Sequence, residues 1–173
     1  AQPIDGLDLS FAGSLLQSEF DSTVRDSSGA ILGGVKSGNR LASVPEFQFA
    51  ATATYNFPLG WADGDAFVSG TVHYVGDRIT QPGDQVAGAG RFTSGLAYGG
   101  ATGNETTVLD LELDAYTIVN VSGGVTVGDW DAIVFVHNLG DENALLSFDR
   151  ERGGRARLSF RTNQPRTVGL TVR

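Results

Sequence analysis

Residues Leu109 to Leu146 read LDLELDAYTIVNVSGGVTVGDWDAIVFVHNLGDENALL, and the fold turns on how this stretch is understood. Leu109, Leu111, Leu113 and Ala115 fall on one face, and the same face continues through Val119, Val121, Val125 and Val127. The other face carries Asp110, Glu112, Asp114, Tyr116, Asn120, Ser122 and Thr126. That is a period of two, the signature of a strand and not of a helix. Gly128-Asp129-Trp130 interrupts it, and alternation then resumes, with Ala132, Val134 and Val136 set against Asp131, Ile133, Phe135 and His137. Two long alternating segments joined by so short a link predict a β-hairpin. Beyond Val136 the phrase HNLGDEN ends the alternation and begins a polar connection.

The pattern recurs along the rest of the chain. Leu7 to Phe20 alternates, with Leu7, Leu9, Phe11, Gly13 and Leu15 on one side. Glu46 to Phe57 alternates most cleanly, with Phe47, Phe49, Ala51, Ala53, Tyr55 and Phe57 together. Asp65 to Ile79 and Ala156 to Arg173 complete a set of six predicted strands. Between them lie long polar segments at Asp21–Pro45, Thr80–Val108 and Gly140–Arg155, and short turns at Pro58–Gly64 and Gly128–Trp130. Weak extended pieces at Ala30–Val35 and Arg91–Ser94 are candidates for two further strands.

Composition narrows the classes. The chain has 173 residues, 24 glycines, 5 prolines and no cysteine, which excludes a disulfide framework and a thiolate metal site. A net charge of −8 argues against a nucleic-acid backbone as partner. No run of about 18 apolar residues is present, as a transmembrane helix would need, but a spanning strand needs only about ten alternating residues.

The connections run long, short, long, short, long. An outer-membrane barrel has this order, with short turns at one rim and long loops at the other. Phe57, Trp61 and Trp130 stand beside the two short turns, where an aromatic girdle belongs. The expected fold is therefore all-β, an antiparallel transmembrane β-barrel segment of about six long strands. About eight strands are the least that close a barrel. Either the two weak pieces supply the missing pair, or the chain is part of a larger barrel.

Several phrases resemble the C-terminal part of a TonB-dependent outer-membrane receptor. They are Arg40-Leu41-Ala42-Ser43-Val44-Pro45 ahead of the strand ending at Tyr55, His73-Tyr74-Val75-Gly76-Asp77-Arg78, Leu113 to Asn120, Val136 to Asn143, and Pro165 to Arg173. They occur in the family's order over residues 40 to 173. Two departures are the Gly140 that replaces an aromatic after Asn138-Leu139 and the missing terminal aromatic after Val172. The resemblance implies the last strands of a barrel of about 22, in the outer membrane of a Gram-negative bacterium. It implies import of a scarce solute such as a siderophore, cobalamin or a carbohydrate, and it implies no enzymatic activity. Expected partners are outer-membrane lipid and lipopolysaccharide, the remainder of the barrel with its plug domain, TonB acting through an N-terminal region that lies outside this chain, and the small-molecule substrate. Residues 1–173 are read as one barrel segment, without plug or TonB-contacting segment. The rival readings are a complete eight-stranded barrel with a structural or adhesive role, and a soluble β-sandwich that binds carbohydrate.

Candidate sites are few. Binding residues concentrate on loops, which singles out Arg91, Phe92 and Tyr98 in the second long loop and Arg150 and Arg152 in the third as substrate contacts. Arg155, Arg157 and Arg161 extend that basic patch, which either meets an anion or pairs with acids such as Asp149. Asp110, Glu112 and Asp114 share one predicted strand face, but i and i+2 positions lie about 7 Å apart, too far to share a cation unaided. His73 and His137 sit on different strands without zinc-ligand spacing. No catalytic residue, metal site or cofactor is expected.

Overall fold

The computed structural model describes residues 1–93, 105–150 and 158–173. Twelve strands lie among them: β1 (Leu7–Leu15), β2 (Phe47–Pro58), β3 (Gly64–Val75), β4 (Arg78–Ile79), β5 (Arg91–Thr93), β6 (Thr106–Val108), β7 (Glu112–Leu113), β8 (Tyr116–Val127), β9 (Trp130–His137), β10 (Leu145–Arg150), β11 (Leu158–Thr162) and β12 (Thr167–Val172). Six of them form one antiparallel meander in the order β1-β2-β3-β8-β9-β12. These are the six long segments read from the sequence. The other six pair off as β4–β7, β5–β6 and β10–β11, all within the long connections.

Strand length sets this sheet apart. β2, β3 and β8 each run for 12 residues, about twice the mean strand of a soluble domain. Pairing is continuous from Leu7↔Tyr55 to Leu15↔Phe47 and from Gly64↔Val127 to Val75↔Tyr116. The β8–β9 hairpin closes with two residues, Gly128 and Asp129, between the paired Val127 and Trp130. Gly128 has φ +58°, which suits the first central position of a primed hairpin turn.

Registry gathers most of the apolar positions on one surface, while Phe67, Val75, Ile118, Ile133 and Phe135 lie on the other. The first holds Leu9, Phe11 and Leu15 of β1, Ala51 and Ala53 of β2, Val68 and Val72 of β3, Val119, Val121 and Val125 of β8, Val134 and Val136 of β9, and Val168, Leu170 and Val172 of β12. Much of this surface is bare, with Leu15 at 81% and Val168 at 67% exposure. Aromatic belts bound it at both ends. Phe11, Phe47, Phe49 and Tyr74 stack toward the long connections, with ring centroids 5.6–6.0 Å apart. Tyr55 and Phe57 stack at 5.6 Å toward the short turns, where Trp61 and Trp130 are also exposed. Sequence reading anticipated only the second belt. Phe57 lies eight positions beyond Phe49, about 26 Å along the strand, which at a strand tilt of about 40° spans about 20 Å of height, of the order of the apolar band of an outer-membrane barrel.

The true core sits elsewhere, beneath the long connections. Ile79, Leu111, Leu113, Ala144 and Phe148 are buried there. This corrects the reading of residues 109–115. They do not continue β8; Asp110 Oδ1 accepts the Glu112 N–H at 3.0 Å, and β7 breaks away to pair with β4. Leu111 and Leu113 therefore face this small core and not the bare apolar surface. The two weak pieces are corrected as well. Ala30–Val35 forms no strand, only the isolated Arg25↔Ile31 bridge, and Arg91–Thr93 pairs with Thr106–Val108 outside the main sheet. Ala156–Arg173 is likewise not one strand, since β11 folds onto β10 before β12 begins. Neither weak piece completes a barrel, and the six-stranded sheet is open at β1 and β12.

Candidate functional site

The long connections are tied into one layer by side chains. Asn39 Nδ2 donates to the carbonyls of Gly34 and Pro82 at 2.9 and 3.0 Å. Gln85 grips the Arg40 backbone twice, accepting its N–H at 2.9 Å and donating to its carbonyl at 3.0 Å. The Arg40 guanidinium donates to the Asp77 carboxylate at 2.6 Å and to the Asp77 carbonyl at 2.9 Å, with Glu46 at 3.5 Å. The first connection is thus bolted to the second. The bond from Arg40, with its charge, holds Asp77 below the usual carboxylate range. Glu112 faces the same Asp77 and is pushed up, first by partial burial and then by that neighbouring negative charge.

A second bolt joins the second connection to the third. Arg78 is only 8% exposed and donates to the carbonyls of Leu145 and Leu146 at 2.9 and 3.2 Å. Its guanidinium lies 5.3 Å from the Tyr116 ring centre, a cation–π distance. Asn138, at 3% exposure, holds the exit of β9. Its N–H reaches Asn120 Oδ1, its amide nitrogen donates to the carbonyls of Glu142 and Gln164, and its amide oxygen accepts the Glu142 N–H, all at 2.9–3.0 Å. Asn138 and Asp141 take positive φ, +53° and +54°, which Asn and Asp tolerate better than other side chains. Neither Arg40 nor Arg78 was singled out from the sequence. Both lie inside phrases that carried the family resemblance, which is the one signal that marked them.

The expected contact residues fall in this layer without gathering at one point. Arg91 is exposed on β5. Phe92 is half-buried and its ring packs 5.8 Å from Phe148, which in turn lies 4.8 Å from Phe160. Tyr98, Arg152, Arg155 and Arg157 lie outside the described residues, and Arg150 ends β10 opposite Leu158. Arg161 pairs with Asp149 at 2.9 Å, the acid partner foreseen for it.

Hydroxyl pairs run across the polar surface of the sheet. Thr52 pairs with Thr71 at 3.1 Å, Thr54 with Ser69 at 2.8 Å, and Thr126 donates to Asp131 at 2.7 Å. Rings lie flat where glycine leaves room. A Cβ on Gly169 would overlap the Phe135 ring, and one on Gly124 would strike Phe67 and Ile133. His73 and His137 are on this surface, His137 beside Phe135 at 4.8 Å. Among the described residues no three His, Cys, Asp or Glu side chains gather as metal ligands.

A meander of such strands, apolar on one surface and polar on the other, with long connections at one end only, has the architecture of part of an antiparallel β-barrel wall. No protein-family description and no curated protein sequence matches the chain. Solved structures do. The ferric yersiniabactin uptake receptor FyuA of Yersinia pestis matches with a TM-score of 0.66 at 14% identity, over 99% of this chain and 21% of that one. The ferric-catecholate import receptor Fiu of E. coli K12 matches at 0.60 and 16%, over 98% of this chain and 19% of that one. The ferric preacinetobactin receptor BauA of Acinetobacter baumannii matches at 0.60 and 17%, over 98% and 20%. The chain spans about a fifth of the length of each. The resemblance to a TonB-dependent receptor is thus borne out as a likeness of fold, and the neighbours are receptors and not enzymes.

Proposed function

We propose that residues 1–173 are one wall segment of a TonB-dependent outer-membrane receptor that imports a metal chelate. The observation that carries the reading is the bare apolar band between two aromatic belts, about 26 Å along the strand and about 20 Å high at a strand tilt of about 40°. That is of the order of the lipid-facing zone of such a barrel. The apolar surface then meets lipid, the hydroxyl surface faces the lumen, and the bolted connections form part of the extracellular mouth. Lipopolysaccharide contacts the upper belt. The rest of the barrel pairs with the open edges of β1 and β12, a plug domain fills the lumen, and TonB acts through that domain. Among the solutes the family imports, a ferric chelate is favoured, because all three structural neighbours are named for one. Arg91, Phe92, Tyr98, Arg150 and Arg152 remain the proposed contacts at the mouth.

The two rival readings find less support. A self-contained eight-stranded barrel needs β1 and β12 joined, and they are the two ends of the sheet. A β-sandwich needs a second sheet over the apolar surface, and among the described residues none lies there.

The test is made on the complete encoded protein. It should fractionate with the outer membrane, migrate faster on gels unboiled than boiled, and take up radiolabelled ferric chelate only while the inner membrane is energised. Recovery in the soluble fraction as a folded monomer would sink the proposal.

A further inference from the structure

Asp77 and Arg78 are consecutive residues that hold two different connections. Asp77 takes the Arg40 guanidinium of the first connection on both its carboxylate and its carbonyl, at 2.6 and 2.9 Å. Arg78 reaches to the Leu145 and Leu146 carbonyls of the third. The Asp77 carbonyl and the Arg78 N–H belong to one planar peptide unit. Arg40 therefore clamps the unit from which the Arg78 side chain departs. The strand that begins there, β4, is two residues long and meets β7 through two pairs.

The far end of Arg78 is equally particular. Successive carbonyls of a regular strand point to opposite edges, so one guanidinium takes both Leu145 and Leu146 only where the strand is bent. Leu146 is the extra residue of a β-bulge: pairing with β11 steps from Leu145↔Thr162 directly to Ser147↔Arg161. A shift of one residue turns every later side chain to the opposite face. The bulge thus decides that Phe148, two residues on, enters the small core against Phe92 and Phe160. Arg78 Nε is buried without a hydrogen-bond partner, and among the described residues no carboxylate pairs with this guanidinium. Its two carbonyl acceptors and the Tyr116 ring are what hold it.

We propose that the Asp77–Arg78 peptide is a coupling element that locks the first connection to the bulge of the third, so that releasing either loosens the other. Without the Arg40 clamp the peptide turns, Arg78 no longer spans both carbonyls, the bulge slips and Phe148 leaves the core. Without the grip of Arg78 on the third connection the same peptide loses an anchor, and the Arg40 bond weakens in turn, as linkage between two sites requires. The coupling concerns the connections alone and does not depend on what the apolar surface of the sheet meets.

The test is hydrogen exchange, followed by mass spectrometry, on the complete protein in detergent, in wild type, Arg40→Met, Arg78→Lys and the double variant. Lysine keeps the charge but has no planar fork with which to span two carbonyls. Arg40→Met should speed exchange about tenfold around residues 39–41, and by a similar factor around residues 145–148 of the third connection. Arg78→Lys should speed both in the same way. Tenfold is the scale of one lost hydrogen bond to a charged group. In the double variant the two factors should not multiply, because either substitution alone already frees the shared peptide. Arg161→Gln, which breaks the exposed pair with Asp149, should leave residues 39–41 as in wild type. Unchanged exchange across β2 and β8 shows that a variant has kept its sheet. If Arg78→Lys fails that check, Arg40→Met decides the matter alone through residues 145–148. Acceleration confined to the substituted residue's own connection, or factors that multiply in the double variant, overturns the coupling.

Discussion

Asn138 closes four hydrogen bonds from a left-handed backbone position that alanine adopts poorly. Asn138→Ala keeps only the bond made by its own N–H. It leaves the Glu142 N–H without its acceptor, while the carbonyls of Glu142 and Gln164 keep only Asn163 Nδ2 as donor, at 2.9 and 3.1 Å. The expected loss is about 2–4 kcal/mol, read as a lower denaturation midpoint of the complete protein with the strands otherwise intact. A second residue-scale expectation concerns pH. Asp77 is depressed, so its bond to Arg40 contributes above the ordinary aspartate range and is lost as pH falls through the lowered value. Glu112 is raised, so its contribution is present in acid and is lost as pH rises past the ordinary glutamate range. The bolt between the first and second connections is therefore tightest between those two limits. Hydrogen exchange at the Arg40 and Leu41 amides should pass through a minimum there once corrected for intrinsic rates. Glu112→Gln should remove the rise on the alkaline side only. Almost none of this was legible in the sequence. Arg40, Asp77 and Glu112 are 37 and 35 positions apart along the chain, and only the fold of the connections brings them together.

At the scale of the element, alternation was legible wherever strands have one apolar and one polar surface. β2 and β8 were read from period two alone, and the faces assigned to Val121 and Ser122 are those the register gives. The same rule failed at residues 109–115. Leu109, Leu111 and Leu113 keep the period, but alternation says which residues share a side and not what covers that side. The Asp110 turn diverts this piece into β7, and Leu113 is covered completely. The face assignment has a direct test. Val121→Arg should destabilise the folded protein by about 2–4 kcal/mol if this face meets a bilayer midplane as proposed, while Ser122→Arg should be tolerated. Equal loss at both positions, measured by reversible folding into lipid vesicles, would undo it. The glycine positions give another test. Gly169→Val should drive its side chain into the Phe135 ring and weaken the β9–β12 pairing. Val168→Ala, on the exposed surface of the same strand, should matter far less.

For the whole molecule, the strict order of long and short connections pointed to a barrel before any strand register was known, because an outer-membrane barrel keeps short turns at one rim and long loops at the other. What sequence could not supply is which strands lie next to each other at the ends. The sheet answers that β1 and β12 each pair on one side only. An unpaired edge leaves a row of backbone N–H and C=O groups that hydrocarbon cannot satisfy, at several kcal/mol for each group. It also offers a template for any free strand. On that edge of β1 the Leu9 N–H donates to the Ala1 carbonyl at 2.7 Å. Residues 1–173 expressed alone are therefore expected to associate through these edges. Refolded into detergent micelles, they should elute as oligomers and show no heat-modifiable monomer band, whereas the complete protein should show one. A monomeric, heat-modifiable product of the isolated segment would mean that β1 and β12 can meet. The six-stranded sheet would then be a closed wall and not a segment of one.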